Sequence, residues 1–129
     1  MLKIPYEVAE RVAHMLNYRH RDGTVVAVAQ DHVTGEVLMV AFMNKEALVK
    51  TLTTGLAHYW SLSRRKLWRK GETSGNKQIV HDILIDCDRD AVLLKVEQIG
   101  IACHEGFRSC FHYSIGSNGK LVLREGDKR

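Results

Sequence analysis

Thr24-Val25-Val26-Ala27-Val28-Ala29-Gln30, then Asp31-His32-Val33-Thr34-Gly35, then Glu36-Val37-Leu38-Met39-Val40-Ala41-Phe42-Met43 place two β-rich runs on either side of a short loop that contains glycine. This pattern predicts a β-hairpin. On its N-terminal side, residues 5–18 predict a helix, with Pro5 suited to the first turn and Val8, Val12, Met15 and Leu16 forming an apolar stripe toward the core. On its C-terminal side, Asn44 can cap a second helix that Gly55 stops. Further strands are expected at 57–63, 66–70, 77–86, 91–98 and 111–115, and residues 99–109 read as a loop able to display site residues. Strands dominate, so the expectation is an α+β domain with a mostly antiparallel sheet or barrel-like core and a few helices.

Length and composition narrow the class. With 129 residues the chain makes one domain, 1–129, large enough to bury a core. Val37 to Met43 is the longest apolar run, far too short to span a bilayer, and the N-terminus lacks the basic-then-apolar pattern of a signal peptide. The odd number of cysteines, 3, argues for reduced thiols rather than a disulfide framework, and a cytoplasmic location is expected.

Those cysteines sit in two stretches, Asp86-Cys87-Asp88-Arg89-Asp90 and Cys103-His104-Glu105-Gly106-Phe107-Arg108-Ser109-Cys110. Thiolates suit zinc, whereas a carboxylate cluster suits magnesium, manganese or calcium. In an extended strand Asp86, Asp88 and Asp90 would share one face and Cys87 would point to the other. Joining Cys87 to Cys103 and Cys110 would then require a bulge or a second subunit. The bland alternatives are inert buried thiols and a solvated edge strand; the spacing of Cys103 and Cys110 matches no common structural-zinc pattern. Three like charges on one face, however, call for a cation or a basic partner.

The net charge of +4 is concentrated in Arg64, Arg65, Lys66, Arg69 and Lys70 around Leu67 and Trp68. Directly after them comes Gly71-Glu72-Thr73-Ser74-Gly75-Asn76, where backbone N–H groups and hydroxyls can hold phosphate oxygens. A plain solvated hairpin and a nucleic-acid surface with Trp60 and Trp68 as stacking platforms are the competing readings.

From about Met43 to Phe111 the chain resembles the phosphoribosyl-AMP cyclohydrolases of histidine biosynthesis. The resemblance rests on Met43-Asn44 with Glu46-Ala47-Leu48, Ala57-His58-Tyr59, Leu67-Trp68-Arg69-Lys70-Gly71-Glu72-Thr73-Ser74-Gly75, and Asp86-Cys87-Asp88 with Asp90. It continues through Val96-Glu97-Gln98, Ala102-Cys103-His104 with Gly106, and Arg108-Ser109-Cys110-Phe111. It implies an intertwined homodimer and hydrolytic opening of the N1–C6 bond of the adenine in N1-(5-phosphoribosyl)-AMP, a nucleotide with two phosphates. It also implies zinc on Cys87, Cys103 and Cys110, shared between subunits, and magnesium on Asp86, Asp88 and Asp90.

On this reading water activated by zinc attacks C6, His104 moves protons as general acid and base, and Arg64, Arg69, Lys70, Thr73 and Ser74 hold phosphates. His58, His81 and His112 are also available. The chain departs from the family pattern at Leu62, where a basic residue is expected, at Ile101 in place of a proline, and at Glu105 and Phe107 in place of small or basic residues. Few residues follow Cys110, so a single catalytic step without a fused second domain is expected. A zinc nucleobase deaminase lacks support because its His-x-Glu and Pro-Cys-x-x-Cys signature is absent. An RNA-binding module leaves the aspartates unexplained, since they would repel RNA. The expected partners are therefore a small nucleotide substrate and a second copy of the chain, not nucleic acid or membrane.

Overall fold

The computed structural model describes residues 1–124. The predicted hairpin forms, with β1 (Val25–Asp31) antiparallel to β2 (Val37–Met43). Burial alternates strictly along β1, so Val25, Ala27 and Ala29 enter the core while Val26 and Val28 face the other way. The Asp31 carboxylate closes the turn by accepting from the backbone N–H groups of Val33 and Thr34 at 2.8 and 2.9 Å.

The N-terminal helix α1 (Tyr6–His14) is shorter than expected and ends near Met15. Beyond it the backbone turns away, and the Asn17 N–H donates to the Arg89 carbonyl at 2.8 Å instead of continuing the helix. Its buried stripe is Ala9 and Ala13, continued by Leu16 beyond the helix end, whereas Met15 is exposed; the small alanines allow α1 to approach α2 closely. The second helix, α2 (Lys45–Thr54), follows the expectation. Asn44 Oδ1 accepts from the Ala47 N–H at 2.8 Å, and Gly55 ends the helix at φ +77°.

Next come the hairpin of β3 (His58–Ser61) and β4 (Lys66–Arg69), then β5 (Gln78–Ile85), β6 (Ala91–Gln98) and a terminal hairpin of β7 (Tyr113–Ile115) and β8 (Leu121–Leu123). Strand β8 was not anticipated, because a three-residue run is too short to carry a period. The main sheet has the order β2-β1-β6-β5, and its central pair, β1 with β6, is parallel. The barrel-like core is therefore corrected: β2 and β5 remain edges, and the sheet is mixed and open. One side packs against the helices through Leu38, Met43, Leu48, Leu94 and Val96. A register shift between Val80 and Asp82 inserts His81 as an extra residue in β5.

Because β6 joins them, the 86–90 turn lies at one end of the sheet and the 99–110 loop at the other. The eight residues of β6 separate these ends by roughly 26 Å, at about 3.3 Å per residue.

Candidate active site

The β3–β4 hairpin and the turn after it form one wall of an open cleft of about 690 Å³. All five residues expected to hold phosphate, Arg64, Arg69, Lys70, Thr73 and Ser74, line it, and His104 joins them from the 99–110 loop. Sequence spacing could not have shown this meeting, since His104 is distant from the basic cluster along the chain. Trp60 and Lys66 of the same hairpin, and Glu72 of the turn after it, also line the cleft. Gly71 makes the turn possible: at φ +82° a Cβ would lie 2.4 Å from the Lys77 backbone nitrogen.

Two cations in the wall are poised for an anion. The Nε of Arg69 is buried without a hydrogen-bond partner. Lys70 donates from Nζ to the Ala102 carbonyl oxygen at 2.5 Å and lies 5.8 Å from the centre of the Trp68 ring. Burial pushes the Lys70 ammonium down from its ordinary value, while the charges of Cys110 and Cys103 oppose that shift.

Beside the cleft, the cysteine loop is tied to the scaffold. Ala102 and Cys103 donate their N–H groups to the Arg108 and Phe107 carbonyls, each at 3.0 Å, and the Cys110 N–H reaches the Leu38 carbonyl at 2.7 Å. Arg108 Nε pairs with Glu36 at 2.8 Å while its terminal nitrogen contacts Asp31, anchoring the loop to the β1–β2 turn. Cys103 is buried and Cys110 is exposed. The Cys110 thiol is pushed up to about 11, first by burial and then by neighbouring Cys103, to which it hydrogen-bonds.

The adjacent backbone is positioned from inside by a buried polar ladder. Tyr59 donates from its hydroxyl to Gln78 Oε1 at 2.5 Å, and Gln78 Nε2 donates to Gln98 Oε1 at 2.9 Å. Gln98 Nε2 then reaches the carbonyls of Asn76 at 3.1 Å and Ile99 at 2.9 Å, linking the turn after β4 to the cysteine loop.

Asp86, Asp88 and Asp90 converge, with ligand oxygens within 4.8 Å of one another. They do so on a tight turn with Arg89 at φ +64°, not on the extended strand expected. Asp86 Oδ1 accepts from the backbone N–H groups of Asp90 and Ala91 at 3.0 and 3.1 Å. Desolvation pushes the Asp86 carboxyl up, but these donors and its neighbours outweigh it and hold the group below its ordinary value. Asp88 is raised, chiefly by its hydrogen bonds to Asp90 and Asp86. Arg19 and His20 approach Asp90 at 3.4 and 3.5 Å, partners that no motif indicated. Oxygen donors of this kind fit a hard divalent cation, and the paired thiols fit zinc.

Within one chain, Cys87 and the aspartates sit at the opposite end of β6 from Cys103 and Cys110. Of the alternative histidines, His58 Nδ1 is paired with the Leu56 carbonyl at 2.8 Å, and His81 stacks on His32 with ring centroids 4.1 Å apart. His112 is buried against the cysteine loop.

Comparison with known proteins extends these observations. The family model for phosphoribosyl-AMP cyclohydrolase matches residues 39–112. A phosphoribosyl-AMP cyclohydrolase of Ignicoccus hospitalis is 58% identical over 123 residues, covering 95% of each chain. One from Methanothermobacter thermautotrophicus is 62% identical over 86% of this chain and 82% of its own. A third, from Pyrobaculum calidifontis, is 66% identical over 81% of this chain and 82% of its own.

Proposed function

Because the chain belongs to the phosphoribosyl-AMP cyclohydrolase family, we propose that it hydrolyses the N1–C6 bond of the adenine in N1-(5-phosphoribosyl)-AMP, a step of histidine biosynthesis. The observation that carries this reading is the cleft in which His104 faces the five phosphate-holding residues. Arg64, Arg69, Lys70, Thr73 and Ser74 bind the phosphates of the substrate and set the purine toward the cysteine loop. From that loop His104 gives and takes the protons that ring opening requires.

Cys103 and Cys110, with Cys87 of a second subunit, would hold zinc, and Asp86, Asp88 and Asp90 would hold magnesium. Zinc bound in this way lowers the pKa of water toward neutrality. The alkylated N1 polarises the ring, which makes C6 the electrophilic carbon. Held by the aspartates, magnesium would bind a substrate phosphate or position the ring.

The catalytic unit is a homodimer. In support, the length of β6 keeps Cys87 from Cys103 within one chain, and a second copy can bring the ends together. The sheet face turned away from the helices also carries Val40 and Leu84, each 47% exposed, and the terminal hairpin exposes Ile115 and Leu121. Such apolar surface is what a self-complementary interface buries.

Ultraviolet difference spectroscopy with N1-(5-phosphoribosyl)-AMP and magnesium tests the activity, with zinc measured beside it. The expected result is a ring-opening absorbance change that disappears together with zinc in Cys103→Ser. Zinc-bearing wild type that leaves the substrate intact would refute the reading and favour a zinc-stapled binding module.

A further inference from the structure

Two turns meet through one carboxylate. The first, residues 20–24, is closed from inside: the His20 and Thr24 backbones pair, and Thr24 Oγ1 donates to the Arg21 carbonyl at 2.6 Å. It carries Asp22, whose side chain is only 11% exposed and whose backbone is left-handed at φ +61°. The second is the β3–β4 turn, where Arg65 is left-handed at φ +52°. Asp22 Oδ2 accepts from Trp60 Nε1 at 3.1 Å, and Asp22 Oδ1 accepts from Arg65 at 3.0 Å. Residues other than glycine keep such conformations where the surrounding contacts over-determine them.

Trp60 lines the cleft, and neither Asp22 nor Arg65 does. With its N–H occupied by Asp22, the indole has no donor left and meets a ligand as an apolar, electron-rich ring. Among the described residues no aromatic ring packs on Trp60. Trp68, by contrast, is tilted on Tyr59 at 5.2 Å and carries Lys70 over its ring. An open aromatic ring beside Arg64 and Lys66 fits a nucleobase whose phosphates the cations hold. Alkylation at N1 makes the amidine of adenine a strong base, so the ring is cationic near neutrality, and an indole face favours a cation.

We propose that Trp60 is the platform on which the purine of an N1-alkylated adenine nucleotide stacks, with Asp22 as the positioning residue that aims it. This inference rests on the cyclohydrolase reading for its substrate and adds the side chain that tells an N1-alkylated purine from plain AMP. His104 lines the same cleft, so a base stacked on Trp60 lies within the walls from which His104 works. Asp22 touches no substrate; it fixes the indole plane and keeps Arg65 out of the cleft.

The test titrates full-length protein, with zinc and magnesium present, against 1-methyl-AMP and against AMP by calorimetry, beside steady-state kinetics on N1-(5-phosphoribosyl)-AMP. The variants, each checked for folding by circular dichroism, are Trp60→Leu, Trp60→Phe, Asp22→Asn, Asp22→Ala and Trp68→Phe. Wild type is expected to bind 1-methyl-AMP roughly tenfold more tightly than AMP. Trp60→Leu should lose that preference, and Trp60→Phe should keep part of it. Asp22→Asn, whose amide oxygen still accepts from the indole, should keep it, whereas Asp22→Ala should lose it and raise KM several-fold with kcat little changed. In Trp68→Phe, which leaves Trp60 as the one tryptophan, 1-methyl-AMP should quench the emission. The same preference in wild type and Trp60→Leu, or an unquenched Trp60, overturns the inference. Should Trp60→Leu not fold, the contrast between Asp22→Asn and Asp22→Ala decides, and equal loss in both overturns it. An active enzyme whose preference ignores Trp60 leaves the cyclohydrolase reading standing; an inactive protein that still prefers 1-methyl-AMP through Trp60 sinks that reading alone.

Discussion

Lys70 donates from Nζ to the Ala102 carbonyl oxygen at 2.5 Å, tying the basic wall of the cleft to the residue before Cys103. One side chain thus couples the end of the basic hairpin to the cysteine loop. A hydrogen bond from a charged group contributes about 1.5–3 kcal/mol. Lys70→Met is expected to lower kcat/KM by at least about tenfold, the equivalent of about 1.4 kcal/mol. It should raise KM as the proposed phosphate contact is lost, and lower kcat as the loop loosens. Steady-state kinetics with unchanged kcat would show that Lys70 serves binding alone.

Asp88 sits among like charges. Asp88→Asn should raise the magnesium concentration needed for half-maximal activity. In EDTA the same variant should melt at or above the wild-type temperature, because one repulsive charge has gone. A parallel drop in stability and no change in magnesium dependence would remove the aspartates from the metal assignment.

Gly71 and Gly75 both have φ +82°, but a Cβ at Gly75 meets nothing within 4 Å, whereas one at Gly71 lies 2.4 Å from the Lys77 nitrogen. Gly75→Ala should cost only the left-handed conformation, about 1–2 kcal/mol. Gly71→Ala should cost more, because backbone must move. Denaturant unfolding of the two variants gives this ordering directly; equal losses would mean that the turn yields freely.

Asp31 bears on acid stability. Its desolvation is outweighed by the backbone N–H groups of Thr34 and Val33 and by Arg108, so its carboxyl is held below the ordinary value. A depressed carboxylate stabilises the fold fully above its unfolded pKa, about 3.9, and this contribution disappears as pH falls through the lower folded value. Wild type should therefore exceed Arg108→Met in stability near neutrality, with the gap narrowing below about pH 4. A gap that stays constant on acidification, in melts across pH, would assign the effect of Arg108 to packing.

Much of the fold was legible locally. Alternation along residues 25–31 and the Asn44 and Gly55 caps are short-range physics, and the structure forms them where expected. Local signals failed where distant partners decide. Helix α1 stops early because Asn17 bonds to Arg89, and the convergence of the aspartates comes from a turn closed by the N–H groups of Asp90 and Ala91. No spacing rule places the buried His112 ring, which the Ser109 carbonyl and the Phe107 ring hold against the cysteine loop.

The sequence by itself determined the chemistry on offer: the family, the thiols and carboxylates, the basic strand and its glycine turn, because side-chain type and motif order are local properties. Only the tertiary structure decided which of these meet. The parallel pairing of β1 with β6 leaves the sheet open, and the length of β6 places Cys87 and the aspartates at one end and Cys103 and Cys110 at the other. Long-range strand pairing sets such distances, and it arises from burying one face of several strands together, which no single stretch of sequence contains.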